Sequence, residues 1–171
     1  MTEGRPALRL ALVLVSTMVL QVAVANRVRI LDVAPDLPLL MALAAGIAGG
    51  RDRGAVVGFF AGLCYDLLAT TPFGLAALSY CIAGFVVGEL ESTALRSSWW
   101  MPIVGWLGGS ALGIGLFAVI GSVLDEVDLT DSHLPATIGI VAGWNAILGP
   151  AALRVMRWVD HDRGPLRSAS W

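Results

Sequence analysis

Asp66 is the residue in this sequence whose type and position most invite chemistry. It is a single carboxylate within the otherwise uncharged run Gly54 to Ala69, and a charge at a bilayer centre costs roughly 2.5–3.5 kcal/mol on insertion scales. It lies four residues beyond Gly62, so on a helix it shares a face with Gly54, Gly58 and Gly62 and turns toward protein rather than lipid. Three roles suit such a carboxylate. It could accept hydrogen bonds from Thr70 or Thr71 and cap the following turn, bind a partner, or join Asp36 and Asn26 in a ligand pocket. Under capping alone, asparagine would replace it at little cost. A proton relay would need a chain of titratable partners across the bilayer, and the span carries one acid.

The other reactive residue types are placed less suggestively. Cys64 and Cys81 fall inside apolar stretches and read as packing residues rather than redox or metal groups. His133 and His161 sit beside acidic residues in loops, with no nucleophile motif around either. No catalytic, cofactor-binding or metal-ligating set is expected. Asn145, inside the last apolar run, reads as an interhelical hydrogen bonder.

The elements that must position these residues follow from composition. Of 171 residues, 57% are hydrophobic and 14% charged, and the mean hydropathy of +0.78 marks a membrane protein. Eleven arginines, no lysine and a net charge of -2 argue against nucleic-acid binding. Uncharged runs place six transmembrane helices near residues 8–26, 36–50, 54–69, 73–89, 98–124 and 134–157, all in one integral membrane domain over 1–171. The second to fourth are shorter than the roughly 20 residues of a normal span and need local thinning or shelter by neighbours. Arg51-Asp52-Arg53 and Thr70-Thr71-Pro72 read as the turns bounding the third. Trp99, Trp100 and Trp158 suit interfacial anchoring.

Arginine counting orients the chain. Arg5, Arg9, Arg51, Arg53, Arg96, Arg154, Arg157, Arg163 and Arg167 fall on one side against Arg27 and Arg29 on the other, which puts both termini in the cytoplasm. The opposite side collects Asp32, Asp36, Asp125, Glu126, Asp128 and Asp131, giving an acidic outer surface. The first apolar run, ending Ala23-Val24-Ala25, has the outline of a signal peptide, but reads as a retained span.

Glycine recurs every four residues at Gly46 and Gly50, at Gly54, Gly58 and Gly62, and at Gly105, Gly109 and Gly113, with shorter pairs at Gly84 and Gly88 and at Gly139 and Gly143. Small residues at this spacing let helix backbones approach closely in lipid. The stripes read as seams within one bundle, with a homodimer or a partner-protein seam as the alternative.

Three segments together resemble a known family. They are Pro35-Asp36-Leu37, then Gly58-Phe59-Phe60-Ala61-Gly62-Leu63-Cys64-Tyr65-Asp66-Leu67-Leu68, then Phe73-Gly74-Leu75-Ala76-Ala77-Leu78-Ser79-Tyr80. Over roughly residues 34 to 90 the chain resembles the rod shape-determining MreD family; the acidic stretch Asp125 to Asp131 has no counterpart in that pattern. Pro35, Asp36, Gly58, Gly62, Asp66 and Gly74 match it, and the resemblance assigns them no catalytic role. It implies a non-enzymatic membrane component of the bacterial cell-elongation complex, scaffolding peptidoglycan synthesis. The implied partners are MreC and, through it, MreB filaments, the glycosyltransferase RodA and a class B penicillin-binding transpeptidase. It also implies a compact six-helix bundle similar to the substrate-binding subunits of energy-coupling-factor transporters, which makes vitamin binding the rival function. Those subunits dock through small residues of the first helix, where Ala7 and Ala11 have a suitable spacing. The short acidic outer loops fit that rival poorly.

Overall fold

The computed structural model describes residues 4–23, 27, 33–69, 72–94, 101–124 and 134–160, which contain six α-helices. They are α1 (Gly4–Ala23), α2 (Leu37–Gly49), α3 (Arg51–Leu68), α4 (Leu75–Ala94), α5 (Met101–Val123) and α6 (Leu134–Asp160). Two of them contain stretches long and apolar enough to cross a membrane, Ile103–Val123 and Pro135–Asp160, with mean hydropathies of 2.0 and 1.5. Ala7–Ala23 and Leu37–Gly49 are shorter apolar helices.

The bundle is built around α2. Ten of its thirteen residues are buried, and it packs against all five other helices. A helix that is apolar all round belongs inside a bundle, because every face needs an apolar neighbour. At 1.5 Å per residue α2 is about 20 Å long, well short of the roughly 30 Å hydrocarbon layer. By contrast α1 exposes Leu8, Leu12, Val15 and Val19 along one face while Leu10, Leu14, Thr17, Met18 and Gln21 turn inward.

The turns differ from the sequence expectation. Arg51-Asp52-Arg53 is the first turn of α3, and Gly50 alone reverses the chain between α2 and α3. Gly50 has φ +80°, a region that side-chain-bearing residues rarely occupy, and the Gly50 amide closes α2 on the Gly46 carbonyl. Charge marks where a helix leaves the apolar layer rather than where it stops, so the arginines were poor boundary markers. For the same reason α4 runs past Glu89 to Ala94 and α6 past Arg154 and Arg157 to Asp160. Arg51 pairs with Glu89 of α4 at 3.2 Å, and Arg53 with Asp160 of α6 at 2.9 Å. Burial pushes the nearby Glu91 carboxyl above its ordinary range, and the Arg157 charge pulls it back. Arg9 stacks over the half-exposed Trp158 ring at 5.1 Å, tying the start of α1 to the end of α6. Trp99 and Trp100 lie outside the described residues.

The α2–α3–α4 core is a backbone seam. A Cβ built on Gly58 would run into the Tyr80 carbonyl, one on Gly62 into the Ala76 carbonyl, and one on Gly54 into the Gly84 carbonyl. Reciprocally, a Cβ on Gly84 would meet the Gly54 carbonyl, and one on Gly46 would come within 2.6 Å of Gly84 O. In α5 the contacts are with side chains: Gly109 makes room for Leu43 and Val87, and Gly113 for Leu39. The expected seam at Gly139 and Gly143 of α6 is absent among the described residues, since a Cβ at either position meets nothing within 4 Å. Spacing by four puts two glycines on one helix face without saying which way that face points. The close approach in α6 is instead at Gly149, against the Trp106 ring.

Candidate functional site

The end of the bundle where α1 and α3 finish and α2 and α4 begin gathers buried polar side chains into two hydrogen-bonded groups, which meet at the Tyr65–Tyr80 ring contact. Asp66, on the last turn of α3, is 4% exposed. Its Oδ2 accepts from the amides of Gly74 at 3.0 Å and Ala77 at 3.1 Å, and its Oδ1 from the amide of Ala76 at 3.0 Å. A helix leaves its first N–H groups without intrahelical acceptors, and an N-cap side chain ordinarily supplies one. Gly74 stands at that position and has no side chain, so Asp66 supplies the acceptor from the neighbouring helix. The carboxylate also sits at the positive end of the α4 dipole. Gly74 has φ +99°, which only glycine adopts without strain. Thr70 and Thr71, named above as donors, lie outside the described residues.

Asp36 caps its own helix. Its Oδ1 accepts from the amide of Leu39 at 3.0 Å, and Pro38 occupies a first-turn position of α2 where a missing N–H costs nothing. Its Oδ2 accepts from the Tyr80 hydroxyl of α4 at 2.5 Å. The backbone around Asp36 is held from the other side by Gln21 of α1. The Gln21 Nε2 donates to the Pro35 carbonyl at 3.0 Å, and its Oε1 accepts from the amide of Leu37 at 3.0 Å. One buried amide therefore satisfies a carbonyl and an N–H that frame the cap, which fixes how α2 enters the bundle.

The two carboxylates are linked through tyrosines. Tyr65 precedes Asp66 on α3, and its ring lies 6.1 Å from that of Tyr80 at a 53° tilt. Beside them is a cavity of about 390 Å³, bounded by Gln21, Asp36, Tyr65, Tyr80, Phe117 and Thr137 together with apolar residues. Asn26, which the sequence grouped with Asp36 and Asp66, lies outside the described residues. Elsewhere Asn145 of α6 donates to Ser110 of α5 at 2.8 Å, and the hydroxyls of Thr17 and Ser79 bond back to Val13 and Leu75 carbonyls, each at 2.8 Å. Such bonds keep polar groups satisfied where water is scarce.

The structure divides the six family-matching residues between two places. Pro35, Asp36, Asp66 and Gly74 belong to the hydrogen-bonded polar groups, Pro35 through its carbonyl and Gly74 through its amide. Gly58 and Gly62 lie on the seam that brings α3 against α4, so that Asp66 reaches the α4 amides and Tyr80 meets Tyr65. Gln21 and Tyr80 were not singled out as site residues. The sequence signal for Gln21 was a polar residue closing an otherwise apolar run, and Tyr80 ends the third resembling segment.

Apolar helices packed on a glycine seam, with buried carboxylates bonded to helix termini, define an all-helical membrane protein. A family model described as rod shape-determining protein MreD matches residues 5–148, and the chain belongs to that family. It is thus a member of a family of cell-shape membrane proteins. No curated protein and no solved structure matches the chain. The family match gives no support to vitamin uptake.

Proposed function

We propose that this protein is a non-enzymatic membrane scaffold of the bacterial cell-elongation complex, holding MreC and, through it, MreB, RodA and a class B penicillin-binding transpeptidase. In this reading all six helices cross the membrane, both termini are cytoplasmic and the two polar groups lie toward the outer face. The family match over residues 5–148 carries the reading. Two further features support it. Arginines segregate nine to two between the alternate ends of the helices. The conspicuous carboxylates Asp36 and Asp66 bond to helix termini and to Tyr80, an arrangement suited to a fixed shape.

Depletion in a rod-shaped host tests the function. Cells should round up, and recruitment of fluorescently tagged MreC to the lateral wall should fall. Unchanged shape, wall incorporation and MreC recruitment would refute the scaffold role.

A further inference from the structure

The cavity beside Asp36 has the composition of a site for an organic cation. It lies where α1, α3 and α5 end and α2, α4 and α6 begin, and its volume of about 390 Å³ is within the range of small-molecule pockets. Asp36 is the single charged residue among the described residues that line it. Two tyrosine rings, Tyr65 and Tyr80, and the Phe117 ring share the lining with it, while Gln21 and Thr137 add polar groups. Each Asp36 oxygen receives one protein donor, from Leu39 and Tyr80, and an ionised carboxylate has about four acceptor positions. Capacity therefore remains for a ligand's donors. An ammonium guest would itself hold the facing carboxylate ionised, and aromatic rings in the same lining suit a cationic guest.

We infer that this cavity binds a primary ammonium group, with Asp36 receiving its N–H donors and Tyr65, Tyr80 and Phe117 lining the same space. The ammonium can come from a phospholipid headgroup or from a free amine. The inference stands on the cavity and is independent of the scaffold role.

The test uses the full chain purified in a non-ionic detergent and three probes: dihexanoylphosphatidylethanolamine, dihexanoylphosphatidylglycerol and ethanolamine. Binding is followed by native mass spectrometry. The ethanolamine lipid should bind saturably and at least tenfold tighter than the glycerol lipid, which shares its tails. Ethanolamine binding as tightly as its lipid identifies a free amine as the source, whereas selective binding of the lipid identifies the headgroup; both support ammonium recognition. Asp36→Asn should abolish the preference. Because Asp36 also caps α2, Ile114→Trp provides a second variant: it fills the cavity from α5 without touching the cap, and should block binding while leaving the melting temperature within a few degrees. Equal affinity for the two lipids, no saturable binding of any probe by folded wild type, or unaltered binding by folded Ile114→Trp would overturn the inference.

Discussion

The Tyr80 hydroxyl, in the second turn of α4, donates to the carboxylate of Asp36, the N-cap of α2, across 44 positions of sequence. The bond ties the start of one helix to the start of another, and Gln21 holds the same cap from α1. Three helices thus converge on one turn of backbone.

Removing the hydroxyl should be costly because it leaves a carboxylate oxygen without its donor. Tyr80→Phe keeps the ring against Tyr65 and should lower stability by about 1–3 kcal/mol. Thermal melts of the detergent-solubilised protein check this. Asp36→Asn should destabilise as well, and the double variant should be less unstable than the sum of the two losses, since both changes remove one bond. Strict additivity would show that the contact contributes nothing of its own.

Asp66 invites a sharper prediction than the sequence allowed. Capping as such suggested that asparagine would serve nearly as well as aspartate. The geometry points the other way, because all three partners are N–H donors and they occupy both oxygens. Asparagine offers one acceptor oxygen and turns an NH₂ group toward the remaining donors. Asp66→Asn should therefore lose about 1–3 kcal/mol, and Asp66→Leu, which satisfies none of the three, should fail to accumulate in the membrane. Fluorescence-detected size exclusion after a heat step measures both. Asparagine melting with wild type would mean that these bonds add nothing to stability.

Arginine segregation gives a topology that can be checked directly. With Cys64 and Cys81 replaced by alanine, a cysteine at position 128 should react with an impermeant maleimide in intact cells, and one at position 163 only after permeabilisation. The reverse pattern would invert the protein.

The two carboxylates and the glycine seam were legible in the sequence because each breaks a pattern. A charge interrupts an apolar run, and glycine repeats at the period of a helix face. What those residues touch was not legible. Gln21 bonds to backbone 14 and 16 positions away and Tyr80 to a side chain 44 away, distances over which an apolar sequence carries no periodic signal. Helix ends were misplaced where charge stood in for termination, as at Arg51. Direction was the other missing quantity: Gly58 and Gly139 head equally plausible small-residue pairs, yet one meets a neighbouring backbone and the other open space.

That contrast supplies the last prediction. A side chain at Gly58 or Gly62 would collide with the Tyr80 or Ala76 carbonyl, and backbone yields less readily than the end of a flexible side chain. Ordinary overpacking costs about 1–3 kcal/mol, and the cost here should exceed it, because moving α4 also withdraws its amides from Asp66 and Tyr80 from Asp36. Gly58→Leu and Gly62→Leu should therefore prevent folding, and even Gly58→Ala should lower the melting temperature. Gly139→Leu and Gly143→Leu change the same residue type with open space around it, and the isolated bundle should melt as wild type does. Complementation of a depleted strain adds a second readout. An α6 variant that folds but fails to restore rod shape would place a partner on that face, whereas full activity would leave the face to lipid. Wild-type stability of both α3 leucine variants would show that α3 and α4 are not packed backbone to backbone.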